Sequence, residues 1–308
     1  MLILIFLSYS FGDLTDDISD FWDGLNDIGG PTGFEILQLD MHARTNGTAG
    51  NSWSGGVHSL FKNPSEIMHS SDNLYNGYNF AFSYKKLFLD MNANFVGFSA
   101  KRGNNAFGIS FLGFFSGDME LRNSSPGDPL GNYSGDDIVL GLTYARNFGN
   151  LSIGSTFRTL KSRIFEVSYS TYSFDLGISR SFKAFKDRDF RLDLSFLHLG
   201  PKYGPEGSDE DFRLPTTWHL GLKSNFDPLF IGVSANKPLN TELQYTLGVE
   251  YKITEYFSIR AGGKDNNPLE RYSFGLGLHK NNMCFDYAFA PTVIDVEGSH
   301  ILTFSIGL

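Results

Sequence analysis

The last nine residues, His300 to Leu308, alternate without a break: Leu302, Phe304, Ile306 and Leu308 project to one side, Thr303, Ser305 and Gly307 to the other. A terminal strand with an apolar face invites pairing with other chains unless it has a neighbour on each side. A closed barrel supplies both neighbours. The same two-residue period recurs roughly every fifteen to twenty residues back to Tyr78. Tyr78, Phe80, Phe82 and Tyr84 share a face, as do Phe107, Ile109 and Phe111, then Ile138, Leu140, Leu142 and Tyr144. Tyr172 to Ile178, Phe190 to Phe196, Trp218 to Leu222, Leu243 to Tyr251, Tyr272 to Leu278 and Met283 to Phe289 continue the series. The pattern predicts an all-β protein, a transmembrane antiparallel β-barrel of about 14 strands whose last strand closes against its first. Residues 78–308 then provide about 16 residues per strand and connection, enough for tilted membrane strands of roughly 9 to 11.

Upstream of Tyr78 this period is lost. Residues 33–71 are rich in turn signals such as Asn46-Gly47 and Asn63-Pro64, and they must lie somewhere relative to a barrel too wide to be filled by its own side chains. They are expected to form a hatch or plug. Before them, Asp13, Asp16, Asp17, Asp20, Asp23 and Asp27 interleave with Leu14, Ile18, Phe21, Trp22, Leu25 and Ile28 at helical spacing. This acidic amphipathic segment reads either as a periplasmic docking helix or as a solvated face opposite an apolar stripe. The block Leu2 to Leu7, followed by Ser8-Tyr9-Ser10, has the core and small-residue site of a signal peptide but lacks a basic amino-terminal region, as if the start lay upstream. The division expected is therefore a signal peptide at 1–10, an acidic segment at 11–30, a plug at 31–77 and a barrel at 78–308.

The two faces of the strands differ in chemistry. Central positions on the faces read as outward carry no Asp, Glu, Lys or Arg, as lipid contact requires, since one Arg or Lys at the midplane costs about 2 to 4 kcal/mol. The opposite faces hold Arg158, Asp175, Arg191, Asp193, Glu250, Lys252, Arg260 and Asp286, charges of both signs suited to line a lumen or grip a plug. The inward rows also hold Gly108, Gly141, Gly154, Gly177, Gly221, Gly248, Gly275 and Gly277. These glycines either leave room for the plug or relieve strand curvature.

Composition narrows the classes further. A mean hydropathy of −0.18 resembles that of a soluble protein, but strands apolar on one face give the same average. Glycine makes up 34 of 308 residues, above the usual share of about 7%, and Phe and Tyr number 30 and 14, as suits membrane interfaces and lipid-facing rows. A net charge of −9 without a basic patch argues against nucleic acid, and the single cysteine, Cys284, excludes an internal disulfide. No G-x-S-x-G, H-E-x-x-H or Walker sequence is present, and His42, His58, His69, His198, His219, His279 and His300 are dispersed. Neither catalysis nor a cofactor or metal is expected; the expected partners are outer-membrane lipids, around a monomeric barrel.

Phe34-Glu35-Ile36-Leu37, Ala43-Arg44, the small-residue run Asn46 to Gly50 and Asn63-Pro64-Ser65 occur in an order and spacing that resemble the amino-terminal signature of the PorV/PorQ family, relatives of the FadL fatty-acid channels. Asn46-Gly47-Thr48-Ala49 stands where Met-Gly-Gly-Ala is usual, and Ser65 replaces an alanine. The resemblance covers 33–308. It implies a bacterial outer-membrane barrel with Arg44, Asn63 and Pro64 in its hatch. It also implies a role in type IX secretion, binding or shuttling secreted protein cargo through the extracellular loops Arg122 to Asp137, Gly200 to Arg213 and Pro291 to Gly298, alongside other components of that system. The alternative is a FadL-like channel for hydrophobic small molecules.

Overall fold

In the computed structural model the alternating segments hydrogen-bond into one closed antiparallel barrel. The structure describes residues 32–69, 77–117, 119–122, 128–185, 187–204, 212–239, 241–267, 269–293 and 296–308. The expected signal peptide and acidic segment lie outside these. The strands are β1 (Tyr78–Lys86), β2 (Asn92–Arg102), β3 (Asn105–Phe115), β4 (Met119–Leu121), β5 (Gly131–Tyr133), β6 (Gly135–Phe148), β7 (Leu151–Ile164) and β8 (Val167–Ala184). They continue with β9 (Arg188–Leu199), β10 (Thr217–Phe226), β11 (Leu229–Pro238), β12 (Gln244–Lys252), β13 (Phe257–Lys264), β14 (Tyr272–Lys280), β15 (Met283–Ala290) and β16 (Ser299–Gly307). β4 and β5 pair only with each other; the other 14 form the wall, each beside its neighbour in the chain.

The seam pairs β1 with β16 from Asn79↔Gly307 to Lys86↔His300, and the Leu308 amide donates to the Tyr78 carbonyl at 2.9 Å. Every edge is thereby satisfied, which a sheet surrounded by hydrocarbon requires. Connections at one rim are short, as at 103–104, 149–150, 227–228 and 281–282, while those at the other include 116–134, 200–216 and 291–298. Short turns face the periplasm and long loops face outward in barrels of this kind, so Tyr78 and Leu308 sit at the periplasmic rim. The outer belt is apolar and uncovered, with Leu142 59% and Ile109 58% exposed. A soluble sandwich would have buried these rows.

The expected loop from Arg122 to Asp137 is shorter than the sequence suggested. β6 already begins at Gly135, and Gly135 to Asp137 pair with Ile164 to Ser162 of β7. Above the bilayer, water covers both faces of a strand, so the ladder continues there without the apolar alternation that marks it in the membrane.

Residues 33–69 fill the lumen as short turns: a 3-10 turn at Glu35–Gln38, one helical turn at Ala43–Gly47, and 3-10 turns at Gly56–Ser59 and Pro64–Met68. The last of these starts as its sequence dictates. Asn63 Oδ1 accepts from the Ser65 amide at 3.0 Å and the Ser65 hydroxyl at 2.7 Å, and Pro64 occupies a first-turn position where no amide is needed. Val57, Leu60, Phe61 and Ile67 of the plug pack against Phe95, Leu112, Val139 and Leu160, making one side of the lumen apolar. The inward glycines divide by cause. A side chain at Gly154 would meet the Pro64 carbonyl and one at Gly248 would meet Thr48, both in the plug, whereas Gly221 and Gly277 make room for the wall's own His219, Asp193, Arg260 and Asp286.

Candidate functional site

Alternation places Arg158, Asp175, Arg191, Asp193, Glu250, Arg260 and Asp286 on the inward side, and the plug supplies partners for several of them. Arg44, at the plug's helical turn, donates from Nε and Nη2 to the two oxygens of Glu250 at 2.9 and 2.8 Å. Arg260 Nε reaches the same carboxylate at 2.6 Å, and its Nη1 reaches Asp286 at 2.7 Å. Two cations and two carboxylates thus balance beside β12 to β15. A second group forms around Glu66 of the plug, which accepts from Lys223 Nζ at 2.9 and 2.8 Å and lies 3.6 Å from Arg191. Lys223 also approaches Asp193 at 3.4 Å, and Asp193 is bonded to His219 Nε2 at 2.8 Å. The Arg191 guanidinium stacks 4.3 Å over Trp53.

The third group holds Arg158 and Asp175 as a fully buried ion pair. Arg158 also donates to the Leu60 carbonyl at 2.6 Å and lies 4.4 Å over the Phe61 ring. The β8–β9 register shifts between Phe174 and Leu176, and at this irregularity the Asp175 carboxylate accepts the His198 amide at 2.8 Å. Asn63 spans from the plug to the wall, its amide nitrogen 3.4 Å from the Ile178 carbonyl and 3.3 Å from that of Leu194. Pro64 abuts the wall beside Gly154 and Gly177.

Lys252 marks the periplasmic edge of the lumen. It sits at the periplasmic end of β12, half-exposed, and pairs at 3.4 Å with the exposed Asp227 of the neighbouring turn. Its alternation is that of a lumen residue, and it lines a small cavity with Arg44, Trp53 and Glu250 while its ammonium reaches toward the water of the periplasmic rim. Sequence reading missed Glu66, Lys223, Asp40, Lys62, Lys85, Lys264 and Glu270. Lys223 and Lys85 occupy inward positions of β10 and β1, so parity contains a signal for them; nothing marked Asp40 and Glu66 as wall-facing within the irregular plug.

Between plug and outer rim lies a cavity of about 450 Å³. Its floor is the plug itself, including Leu37, Leu39, Asp40 and Phe61, and its sides include Leu87, Phe88, Met91, Phe114 and Leu269. Buried Asp40 binds Lys62 at 2.6 Å and Lys264 at 3.3 Å, and Glu270 takes Lys85 at 3.5 Å. Burial alone would raise the Asp40 pKa, but the ammonium groups of Lys62 and Lys264 outweigh it and hold the carboxyl well below the ordinary carboxylate range. The cavity's lining mixes its apolar side chains with many polar and charged ones, among them Asp40, Lys85, His219, Lys264 and Glu270, and its volume falls in the range of small-molecule sites. Among the described residues, no group of three or more His, Cys, Asp or Glu side chains is placed to hold a metal ion.

A closed barrel with an apolar outer belt, a lumenal plug and an outward cavity defines an outer-membrane β-barrel architecture. Solved structures of that architecture align along most of the chain. The Pseudomonas putida toluene transporter TodX matches with a TM-score of 0.63 at 12% identity, over 88% of this chain and 99% of that one. The Ralstonia pickettii toluene transporter TbuX matches at 0.61 and 12%, over 88% and 100%, and a Pseudomonas aeruginosa FadL homologue at 0.55 and 13%, over 90% and 98%. No family model matches the chain, and no curated protein matches it. The fold is the FadL/TodX-like 14-stranded barrel, and that fold implies the bacterial outer membrane.

Proposed function

We propose that the protein is an outer-membrane channel for small hydrophobic compounds, which enter from outside into the cavity above the plug. The observation that carries this reading is the cavity itself, about 450 Å³ with Leu37, Leu39, Phe61, Phe88 and Phe114 among its lining. The aligned structures named as toluene transporters support the same class of cargo. Passage requires the plug to shift, because its turns fill the lumen below the cavity. Purified protein in liposomes should accelerate uptake of labelled toluene or a labelled fatty acid, and Met91→Trp, which places a large ring in the cavity, should slow it. Uptake no faster than in empty liposomes would overturn the reading.

The secretion-associated role implied by the PorV/PorQ resemblance takes second place. It rests on the order of the motifs from Phe34 to Ser65. Loss of a secreted cargo from the cell surface on deleting the barrel, with hydrophobic uptake unchanged, would favour it.

A further inference from the structure

The outer mouth is uneven. β6 and β7 are 14 residues long and β8 is 18, whereas β1, β14 and β16 have 9 and β13 and β15 have 8. Between 14 and 9 residues lies about 17 Å of strand, at roughly 3.3 Å per residue, and the outward rows show where it goes. On β6 the apolar row Tyr144, Leu142, Leu140 and Ile138 ends in Asp136, and on β7 Phe157 is followed by Thr159, Lys161 and Arg163. Arg163 donates to Asp136 at 2.8 Å. This side of the mouth therefore stands in water above the bilayer. It is also closed from within by the start of the plug at the outer mouth. Thr32 bridges to Arg213 in the long β9–β10 connection, the Gly33 amide donates to the Arg213 carbonyl at 3.1 Å, and the Phe34 and Tyr169 rings lie 5.3 and 6.0 Å from that of Tyr203.

The opposite side, from β13 round to β1, ends where the bilayer ends, because strands of 8 or 9 residues barely span it. Three neighbouring connections, 87–91, 265–271 and 291–298, form a low lip there. They present Leu89, 77% exposed, together with the exposed side chains of Leu269, Val293 and Val296. The Val293 amide donates to the Leu269 carbonyl at 2.9 Å, which joins two of the connections. Leu89 has a φ of 53°, a left-handed turn position that suits glycine or asparagine, and its side chain gains no burial within the protein in return. On the other side of the same turn Leu87, Phe88 and Met91 line the cavity, as Leu269 does from 265–271. One short turn thus separates the cavity from the membrane surface. The charges at this level, Asp90 and the Lys86–Glu297 pair at 3.3 Å, are exposed, as suits headgroup depth.

We propose that the low lip, Leu89, Leu269, Val293 and Val296, is seated in the outer leaflet of the membrane, and that hydrophobic ligands pass over it into the cavity from lipid and not from water. Lipid is the occupant of this surface because the lip continues the apolar belt: Tyr84 of β1 and Leu302 of β16, an exposed cross-strand pair, lie directly below it on the same face. A compound expelled from water gathers in the leaflet, so an entrance at that height meets it where it is concentrated. The entry route rests on the channel reading; the seating of the lip does not.

In the full chain with Cys284→Ser, reconstituted in liposomes, the single variants Leu89→Cys, Val293→Cys and Phe165→Cys each take one environment-sensitive fluorophore, the last in the tall β7–β8 turn. A phospholipid with a nitroxide just below its headgroup should quench the first two about three-fold more than the third. Equal quenching at the three positions would overturn the seating and the route with it. For the route, the hydrophobic photolabel trifluoromethyl-phenyldiazirine, dissolved in the liposome membrane, should label Leu39 and Phe61 on the cavity floor when illuminated. The triple variant Leu89→Asp, Val293→Asp, Val296→Asp should lower that labelling about five-fold while labelling of Leu142 in the belt holds. Undiminished floor labelling in the triple variant, or no floor labelling in the unsubstituted chain, would overturn entry from lipid. Toluene uptake from the aqueous phase by the same liposomes then separates the outcomes: if it persists, the channel reading stands without the lipid route, and if it is absent, the channel reading falls as well.

Discussion

Arg44 and Glu250 stand 206 positions apart in the chain and meet as a two-pronged buried pair, Nε and Nη2 against the two carboxylate oxygens. The geometry is planar and directional, as only an arginine provides. Through it the plug's one helical turn is fastened to β12, and Arg260 shares the same carboxylate. The two members are therefore not equivalent.

Removing Glu250 leaves Arg44 without its carboxylate, whereas removing Arg44 leaves Glu250 still hydrogen-bonded by Arg260, whose one charge then serves both Glu250 and Asp286. Glu250→Leu should cost about 3–5 kcal/mol, the range for breaking a buried pair, and Arg44→Met distinctly less. The double variant should be more stable than Glu250→Leu alone. Urea titration with protease cleavage between residues 33 and 69 as the readout checks the order; equal costs would show that Arg260 does not share the charge.

Gly154→Val should dislodge the plug while sparing the wall. A Cβ there would sit 2.6 Å from the Pro64 carbonyl carbon and oxygen, which are backbone and cannot rotate away. Overpacking of this kind costs typically 1–3 kcal/mol. Ser155→Val, one position on and outward-facing, should have no such effect, and protease sensitivity of 33–69 in folded barrels separates the two.

On the lipid side, Leu142→Arg should destabilise the inserted barrel by about 2–4 kcal/mol, read from urea unfolding in bilayers. The equivalent change in the loop, Leu130→Arg, should be nearly neutral.

These contrasts follow what was legible in the sequence. Lipid imposes one rule on every outward position, so strand number, closure and location can be read from Leu, Phe and Tyr alone. The inner face answers to a plug without periodicity, and each partner there is fixed by three-dimensional approach. Arg158 and Asp175 are near in sequence and pair across adjacent strands, but Arg191 finds Glu66 and Lys223 finds both Glu66 and Asp193. Parity placed the wall charges inside without naming their partners, and alternation does not mark where a strand leaves the lumen, as β12 does at Lys252. Thr32 at the outer mouth was invisible for the same reason.

Plug docking should weaken in mild acid. His42 lies 4.7 Å from His58 and 4.5 Å from Phe95, ring to ring, and burial followed by the neighbouring His58 pulls its pKa well below 6.5. At His69, burial and then Arg191, Lys101 and Lys223 act against the partial compensation of Asp193, pulling the pKa down to about 2. Both rings stay neutral in the docked plug while a released plug would bind protons below about 6.5. Their contribution is therefore intact above that pH and falls as pH drops beneath it, at up to about 1.4 kcal/mol per pH unit for each histidine. Asp40, shifted in the carboxylate sense, enters only below its ordinary value of 3.8. Protease release of residues 33–69 should rise between pH 7 and 5, and His69→Gln should flatten the dependence; a profile unchanged over that range would contradict the assignment.

The pairing of residues 79–86 with 300–307 sets an order on biogenesis. The ribosome makes one partner of this junction more than two hundred residues before the other, so no partial product can seal itself, and the N-terminal portion must wait, shielded by chaperones, until synthesis is almost finished. Once the cylinder has shut, the run from Thr32 to His69 can be taken in only through an open end, since no gap remains for it to enter sideways.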